Sequence, residues 1–525
     1  MNREAFGPLR GAAALSKAVE KAYQAGGTDY SLEPMSLEDS SGRALGTVQK
    51  GDGVIFCCRR GEREVELTDA FTDPAFQGFP RERITPLDFT ILTMYHEKYT
   101  YLPIAFAPSK VEGTLAQTLS QAGKTQLHCS ESEKFAHVTF FFNGGNHQPY
   151  PGEDDVCVPS PKGVPFDSVP ALSLEKVADT VVGGVKKGYD FIVTNFANGD
   201  VIGHTSNNEA KVACAGIVDR QLGRTVQAAR DEGYTVFIAA DHGNLECMFT
   251  EDGKPHVAHT CNLVAFIALA GGGAAPVKPQ GKLCDVAPTV LAAMGVRKPA
   301  AMAGEALFQF KGTGKVLLII LDGWGLGAAD DGNPIHIADT PTWDALLQSS
   351  PWVPIAASGE AVGLGAGKPG NSEAGHINLG SGRVVLQDDV RLDQAMRDGS
   401  FAENPVFHGA VDGVKARGGA LHLLALLTKK SSHGSIDYPL ALLKLAAERG
   451  LADVYVHVIF DGRSTQPGSA PALLKELGET METIGAGQIV SGVGRGVALD
   501  RDQNWAKIQR AYDALTTGAG ARYRA

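Results

Sequence analysis

Four short runs of mostly apolar residues recur along the chain, and each is followed by a polar or glycine-containing loop and then by a helix-like stretch. The runs are Asp190–Thr194, Thr235–Ala240, Val316–Leu321 and Val454–Phe460. Continuous apolar strands that alternate with helices are typical of parallel sheets covered on both faces. The pattern predicts an α/β protein whose ligands bind at the carboxyl ends of the strands.

Five helices are predicted elsewhere in the chain, and several end at glycine, the usual stop for a helix. They are Leu15–Gly26, Leu174–Gly188, Ala210–Gly233, Pro439–Gly450 and Trp505–Thr516. The stretch 308–315 is rich in Gly and Lys and separates a helical region from a new strand. We predict that it is a linker.

Length and charge narrow the class of protein. At ~150 residues per domain, 525 residues predict two to four domains. With 48 Lys+Arg against 59 Asp+Glu, the net charge is −11. An acidic chain of this kind is a poor match for nucleic acid or for an anionic membrane, so an anionic ligand would need a local cluster of basic groups.

The amino-terminal segment lacks the apolar core of a signal peptide, and no apolar run approaches the ~20 residues that span a bilayer. The eight cysteines include no CxxC pair and form no regular framework. Reduced thiols in a cytoplasmic protein are therefore predicted.

Residues of the kind that bind metals follow three of the predicted strands. Alone, an Asp at a strand end more often caps a helix or a turn than it binds a metal. Together at neighbouring strand ends, carboxylates and imidazoles predict one metal site, with a mixed oxygen and nitrogen ligand set that suits Mn²⁺ or Zn²⁺ better than Ca²⁺. These residues are Asp322, Asp200, His204, Asp241, His242 and His259.

Ser372 follows a glycine-rich loop and begins a helix-compatible stretch. The amino terminus of a helix stabilises negative charge, whether on an alkoxide or on a phosphate. A divalent metal would lower the pKa of the hydroxyl further and make Ser372 a nucleophile. The alternative is that Ser372 is only the N-cap of its helix.

Several cationic side chains could hold an anion, since arginine matches the geometry of carboxylate and phosphate. Taken singly, each could equally be a solvated surface charge. They are Arg60, Arg63, Lys134, Arg463, Arg495 and Arg501.

Five motifs, at 195–204, 241–244, 258–260, 321–325 and 370–376, resemble those of the cofactor-independent phosphoglycerate mutases. These are two-metal enzymes of the alkaline-phosphatase superfamily. The resemblance implies two α/β domains, each a mostly parallel sheet flanked by helices. It also implies a monomeric isomerase of glycolysis that interconverts 3-phosphoglycerate and 2-phosphoglycerate, a small anionic phospho-acid, through a phosphoserine.

The resemblance carries site residues over by matching motifs. Ser372 would be phosphorylated, with Lys134 near the phosphoryl group. One divalent metal would be held by Asp200, His204 and His259, and the other by Asp322, Ser372, Asp241 and His242. Mn²⁺ is expected in these sites, with Zn²⁺, Co²⁺ and Mg²⁺ as alternatives. Substrate would be bound by residues His433, Arg463, Ser464, Arg495, Arg501, Arg60 and Arg63.

The order of the motifs differs from that of the family, in which the motifs at 321–325 and 370–376 open the chain and the others close it. The chain therefore resembles a circular permutation, with the family's termini joined near 308–315. In that case 108–388 forms the alkaline-phosphatase-like domain with the metals and the phosphoserine. Residues 1–107 and 389–525 together form the substrate-binding transferase domain.

The transferase half departs from the family. Ser464 stands where the family has an Asp that contacts the hydroxyl of the acid and assists proton transfer, and the motif 495–501 lacks two aromatic residues. Three alternatives follow: a mutase or phosphotransferase for a related phospho- or phosphono-carboxylate, a metallophosphatase, and a non-catalytic binding protein.

Overall fold

The computed structural model describes residues 8–59, 63–108, 110–429, 431 and 433–524. The chain divides into two units, one made of Met1–Pro108 and Arg391–Ala525 and the other of Ser109–Val390. Each unit contains a mostly parallel sheet of eight strands flanked by helices. The predicted α/β class is therefore confirmed.

The strands of the described residues are numbered in chain order. They are β1 (Met35–Glu38), β2 (Gly53–Phe56), β3 (Asp88–Thr93), β4 (Ile104–Phe106), β5 (Gln126–Glu131), β6 (Glu153–Val158), β7 (Phe191–Phe196), β8 (Thr235–Ala239), β9 (Val264–Leu269), β10 (Ala274–Pro276), β11 (Gly281–Lys282), β12 (Phe308–Phe310), β13 (Val316–Leu321), β14 (Trp352–Ala356), β15 (Leu421–Leu427), β16 (Val454–Phe460), β17 (Gln488–Gly494) and β18 (Ala521–Arg524).

The helices are numbered in the same way. They are α1 (Ala12–Gln24), α2 (Val65–Thr72), α3 (Leu115–Gln121), α4 (Leu174–Lys187), α5 (Asn198–Gly203), α6 (Asn208–Asp231), α7 (Val286–Met294), α8 (Pro334–Ile337), α9 (Pro341–Ser349), α10 (Ser372–Ser381), α11 (Asp388–Asp398), α12 (Pro405–Arg417), α13 (Asp437–Glu448), α14 (Ala470–Ile484), α15 (Arg495–Ala498) and α16 (Trp505–Thr517). None of the helices in the described ranges has the length and apolar character needed to cross a bilayer.

The four predicted strands and five predicted helices all form, with ends shifted by at most three residues. The predicted linker 308–315 is wrong in part, because β12 pairs in antiparallel fashion with β10. The two phenylalanines of β12 pack against the core of their unit, which explains why this stretch is ordered as a strand.

The sheet of the unit 109–390 has the strand order β11-β14-β9-β8-β13-β7-β5-β6. The five strands from β8 to β6 are mutually parallel. Every residue of the central strand β13 is buried, as expected for a strand covered by helices on both faces. Because neighbouring parallel strands end at the same edge, the loops after β8, β13, β7 and β5 lie side by side.

The sheet of the other unit has the order β18-β1-β17-β16-β15-β2-β3-β4, and it is parallel from β17 to β4. Along β15, residues 421, 423, 425 and 427 belong to one apolar cluster, whereas 424 and 426 belong to another. Since successive side chains of a strand point to opposite faces, the sheet has an apolar core on each face.

A row of polar side chains is buried within this second sheet. Nε2 of His422 lies 3.0 Å from Oδ2 of Asp52, and Nδ1 of His422 lies 2.9 Å from Nε2 of His457. The row ends at Ser491, whose Oγ lies 2.7 Å from Nδ1 of His457. Burial, followed by the charge of His422, lowers the pKa of His457 well below its usual range.

The row predicts a pH-dependent stability. Folded protein keeps His457 neutral, whereas the unfolded chain binds a proton there below pH ~6.5. Neutral His457 therefore contributes fully to the free energy of unfolding above that pH, and this contribution is lost as the pH falls below it. Between pH 7 and 5.5, we expect the free energy of unfolding of wild type to decrease more than that of His457→Gln, by up to about 1.4 kcal/mol per pH unit.

Urea unfolding at each pH measures this difference in free energy. The exposed His96 provides a matched control, since His96→Gln should keep the wild-type pH slope. Equal slopes for wild type and His457→Gln would contradict the prediction.

Candidate active site and metal centre

Four of the predicted metal ligands, and Lys134, follow the carboxyl ends of the four central parallel strands of the unit 109–390. Asp241 and His242 follow β8, Asp322 follows β13, Asp200 lies in α5 after β7, and Lys134 lies in the turn after β5. Ser372 is the first residue of α10. The sheet order therefore brings together residues that are up to 238 positions apart in sequence.

Two glycines allow these segments to approach closely. A Cβ on Gly375 of α10 would lie 2.7 Å from Cβ of Asp241, so a larger residue would push the helix away. Gly323 follows Asp322 with φ of +72°, a conformation that glycine adopts without strain. A Cβ on Gly323 would also lie 2.7 Å from the backbone nitrogen of Asp200.

Lys134 and Ser372 meet at the centre of the site, and both side chains are buried. Nζ of Lys134 lies 2.5 Å from Oγ of Ser372. The same Nζ lies 2.7 Å from Oδ2 of Asp200 and 2.9 Å from Oδ1 of Asp322. The N-cap of α10 is Asn371, whose side chain accepts the backbone N–H of Ala374. The interpretation of Ser372 as a plain N-cap is therefore wrong, and its hydroxyl is directed into the site.

His204 and His259 converge on Asp200. Their Nε2 atoms lie 3.2 and 2.9 Å from Oδ1 of Asp200 and 3.0 Å from each other. The Nδ1 of each ring lies within hydrogen-bond distance of a backbone carbonyl, that of Val257 for His204 and of Gly370 for His259. When Nδ1 donates to a carbonyl, Nε2 presents its lone pair, which is the tautomer that metal-binding histidines adopt.

The second group is built around Asp241, Asp322 and His376, which are all fully buried. Nδ1 of His376 lies 3.4 Å from Oδ2 of Asp241, and ligand atoms of the three residues lie within 4.8 Å of one another. The Nε2 of His242 stands between the two groups, 3.0 Å from Oγ of Ser372 and 3.3 Å from Oδ2 of Asp241.

The charges of the site favour divalent cations. Three buried carboxylates, those of Asp200, Asp241 and Asp322, face a single lysine, so negative charge is in excess. Burial, followed by the charge of Asp241, raises the pKa of Asp322. Burial alone would lower the pKa of Lys134, but the charges of Asp322 and Asp200 outweigh it and raise that pKa.

These residues fit the metals predicted from the sequence. If Nδ1 donates in both rings, the Nε2 atoms of His204 and His259, which lie 3.0 Å apart, both present lone pairs that a shared cation would satisfy. Among the described residues, no group donates a hydrogen bond to the buried Oδ2 of Asp241. An ion with a charge of +2 would relieve both features and the mutual repulsion of the carboxylates.

Two buried residues of this site were not among the predicted site residues. Asn195, within β7, donates to Oδ2 of Asp322 at 2.6 Å and lies 3.0 Å from Nε2 of His376. His376 itself lies four residues after Ser372, so both fall on one face of α10. That spacing, and the place of His376 at the end of the motif 370–376, were the available signals for His376. For Asn195 the signal was its place as the first residue of the motif 195–204.

The predicted substrate-binding residues lie in the other unit, again after the carboxyl ends of adjacent parallel strands. Arg63 follows β2, His433 follows β15, Arg463 and Ser464 follow β16, and Arg495 follows β17. Arg501 follows α15 and is exposed. Arg60 lies outside the described residues.

Two of these residues stand beside carboxylates. The guanidinium of Arg495 is buried and donates to Oδ1 of Asp461. Nδ1 of His433 lies 3.5 Å from Oε1 of Glu64. The carboxylate of Glu64 is fully buried, and neither of its oxygens accepts a hydrogen bond of good geometry from the described residues. Burial raises the pKa of Glu64, although His433 and Arg495 act against this. Glu64 is a further residue that the sequence reasoning did not single out.

Three of the other four described residues are placed differently. Arg63 donates to the carbonyl of Leu499 at 3.0 Å. Arg463 is exposed and lies over the ring of Tyr30, 5.8 Å from its centroid. Ser464 is exposed on the same loop.

Two family models match the chain. That of the metalloenzyme superfamily matches residues 20–298, just over half of the chain. The chain belongs to the metalloenzyme superfamily. A second model, that of the amino-terminal part of the BPG-independent phosphoglycerate mutases, matches residues 392–525. Divalent-metal binding is thus supported both by the superfamily and by the clustered donor atoms.

Curated relatives of this metalloenzyme carry the name 2,3-bisphosphoglycerate-independent phosphoglycerate mutase. The protein from Salinibacter ruber is 44% identical over 295 residues, which cover 55% of this chain and 56% of the relative. One from Methanosarcina acetivorans is 42% identical over 292 residues, 55% of this chain and 56% of the relative. The chain thus spans about half the length of the curated relatives it matches.

Among solved structures, a Leishmania mexicana phosphoglycerate mutase determined at low cobalt concentration matches with a TM-score of 0.42 and 26% identity. The match covers 52% of this chain and 53% of that one.

Proposed function

We propose that this metalloenzyme is a phosphoryl-transfer mutase that interconverts 3-phosphoglycerate and 2-phosphoglycerate through a phosphoserine at Ser372. The observation that carries the proposal is the buried hydroxyl of Ser372, 2.5 Å from Nζ of Lys134 and 3.0 Å from Nε2 of His242. The names of relatives that are 42 and 44% identical support the same reaction.

In this proposal two divalent metals, with Mn²⁺ as the expected ion, are held by the residues that converge at the strand ends. Asp200, His204 and His259 would hold one metal, and Asp322, Ser372, Asp241 and His242 the other. His376 joins the donors around Asp241 and Asp322. When bound, the metals would polarise the phosphoryl oxygens and lower the pKa of the serine hydroxyl.

The side chains of the site then have distinct tasks. Ser372 gives its hydroxyl proton to Oδ1 of Asp322, 3.3 Å away, and attacks phosphorus. Its Oγ–P bond forms as the bond to the oxygen of the acid breaks, and that oxygen takes up a proton. The reverse exchange returns the phosphoryl group to the other hydroxyl. The ammonium of Lys134 donates to Oγ of Ser372 and stabilises the negative charge there. Burial of Ser372 limits the access of water, which would otherwise hydrolyse the phosphoserine.

The order of the chain is part of the proposal. We take the chain to be a circular permutation of the family, with 108–388 as the phosphoryl-transfer domain and 1–107 with 389–525 as the substrate-binding domain. The match of an amino-terminal family model to residues 392–525 supports this order. A permuted order would also limit an uninterrupted alignment to about half of each relative, as observed.

In the substrate-binding domain, His433, Arg463, Ser464, Arg495, Arg501, Arg60 and Arg63 are proposed to bind the acid. Their positions after adjacent parallel strands, given above for the described ones, are where α/β sheets bind ligands. The monomeric state and the cytoplasmic location remain predictions.

A second candidate is a mutase of the same type for a related phospho- or phosphono-carboxylate. The motif 495–501, which lacks two aromatic residues of the family's motif, favours this candidate because it alters the surface that would recognise the acid. Ser464, in place of the family's Asp, points to the same change.

An enolase-coupled assay with Mn²⁺-loaded protein and 3-phosphoglycerate tests the first candidate. Turnover with little free phosphate release supports a mutase, whereas steady phosphate release from many monoesters would identify a phosphatase instead. Turnover of related acids only, with 3-phosphoglycerate inactive, would establish the second candidate.

Ser464→Asp sharpens this test, because it restores a carboxylate able to assist proton transfer at the hydroxyl of the acid. If phosphoglycerate is the substrate, we expect the variant to raise kcat in the coupled assay by about 10- to 100-fold. Ser464→Asn is the matched control, because it introduces a side chain of the same size without the charge. Equal rates for these two variants would contradict the expectation.

A further inference from the structure

A second cluster of metal-ligand side chains lies on the two outer parallel strands of the unit 109–390. We propose that His128, Glu153 and Asp155 form an additional divalent-metal site that shares no residue with the Ser372 centre. This inference is independent of the proposed mutase activity, since it concerns metal binding at other residues.

The sheet itself assembles the three donors. In the register of β5 with β6, Gln126 pairs with Glu153 and His128 pairs with Asp155. Residues two apart on a strand share a face, so all three donors project from the same side of the sheet. One ring nitrogen of His128 and one carboxyl oxygen from each acid lie within 4.8 Å of one another.

Some buried nitrogen and oxygen atoms in and beside the cluster are available to bind a metal. Nδ1 of His128 lies 2.7 Å from the carbonyl of Val138 and 3.4 Å from Oε1 of Glu153. Asn143 donates to Oε1 of Glu153 at 2.7 Å. Three buried atoms have no hydrogen-bond partner among the described residues: Nε2 of His128, Oδ1 of Asp155 and Oδ1 of Asn143. Unpartnered polar atoms of this kind are costly unless an ion or a water satisfies them.

An adjacent cavity of about 220 Å³ gives a ligand access to the cluster. Asp155 and Asn143 line it, together with Phe135, Thr139, Phe140 and His147. The side chain of Asn143 is 2% exposed, so the cavity reaches a buried polar group rather than a shallow patch of surface. A bound cation could thus keep water in a remaining coordination position.

The donor set selects a class of metal. One imidazole and two carboxylates are the ligands of Zn²⁺ and of similar first-row ions, whereas Ca²⁺ prefers oxygen ligands alone. Burial raises the pKa of both Glu153 and Asp155; for Asp155 the charge of His128 acts against this and the neighbouring Glu153 adds to it. Zn²⁺ is therefore the probe that fits best.

The site would stabilise the segment that carries Lys134. The backbone of Val138 and the side chain of Asn143, both contacted by the cluster, belong to the stretch that immediately follows Lys134. A metal here would be structural and would hold that stretch against β5 and β6.

Metal counting tests the proposal. The full chain is loaded with Zn²⁺, dialysed and analysed for bound zinc by elemental analysis and native mass spectrometry. We expect Asp155→Asn to hold one equivalent less than wild type. Asp154→Asn is the matched control, because it removes the same charge from the next, exposed position of β6 and should keep the wild-type stoichiometry.

A second variant tests whether a loss of bound zinc reflects the loss of a ligand or a misfolded protein. His128→Phe keeps a ring among Phe142 and Phe191, which contact the imidazole, and should also lose one equivalent while its circular dichroism remains that of wild type. Co²⁺ loading gives an independent readout, since absorption bands of a mixed nitrogen and oxygen site should weaken in both variants. Unchanged stoichiometry in the two variants would overturn the proposal, whatever the activity of the protein.

Discussion

Ser372→Ala is expected to lower the rate of phosphoglycerate interconversion by about 10⁴-fold or more. The variant lacks the oxygen that would carry the phosphoryl group between the two hydroxyls of the acid, and neither Lys134 nor His242 can replace it in the geometry observed. The enolase-coupled assay measures the rate, and intact-mass analysis after brief exposure to substrate detects the phosphorylated protein.

Ser381→Ala is the matched control for this variant. Ser381 is the last residue of the same helix α10, is also buried, and donates to the carbonyl of Arg383 rather than to the metal-type residues. It should retain near-wild-type turnover and the phosphoserine signal. If Ser372→Ala still forms the phosphorylated protein, the nucleophile has been assigned to the wrong residue.

The second large effect is expected for Asp322→Asn, which we predict to lower kcat by about 10³-fold and to reduce the number of tightly bound metals. Asp322 is fully buried and lies 2.9 Å from Nζ of Lys134 and 3.3 Å from Oγ of Ser372. Its carboxylate would both bind metal and hold the nucleophile, so its loss affects both functions.

Asp322→Asn should also change stability in opposite directions with and without metal. In the metal-free protein, the change removes one of three crowded, buried carboxylates and is expected to raise Tm. In the metal-loaded protein, it removes a ligand and is expected to lower Tm, because less of the stabilisation from bound metal remains. Calorimetry with Mn²⁺ and with a chelator measures both values.

Asp331→Asn provides the comparison, since it removes a charge from an exposed position shortly after Asp322. It should leave both Tm values and the metal content unchanged. If the Tm of metal-free Asp322→Asn were lower than that of metal-free wild type, the result would contradict the view that the carboxylates of Asp200, Asp241 and Asp322 repel one another.

The residues of the proposed phosphoryl-transfer centre were largely predictable because they follow strand ends. The run Val316–Leu321 is apolar throughout, so its register and its carboxyl end are visible in the sequence, and Asp322 is fixed directly after it. The same holds for Asp241 after β8. His376 was missed as a site residue although it shares a helix face with Ser372, and Asn195 was missed because its role depends on a neighbouring strand.

The substrate-binding half was harder to predict, because its effective charge depends on pairing. The sequence predicts that Arg495 is a cation able to bind a phosphate, but in the structure its guanidinium is buried and donates to Asp461. Glu64 lies within a surface-like run of charged residues, but it is fully buried beside His433. No local pattern distinguishes these two residues from solvated charges.

The class of fold, the strands and helices, and the residue types at each strand end depend on local apolar periodicity and on chain order, so the amino-acid sequence predicts them. Which of those strand ends are neighbours is visible only in the folded protein. The order β8-β13-β7-β5 brings Lys134 to Asp200, Asp322 and Ser372, and the pairing of β5 with β6 creates a second metal-type cluster. Lateral strand order is a property of long-range packing, and it leaves little trace in the periodicity of any single segment.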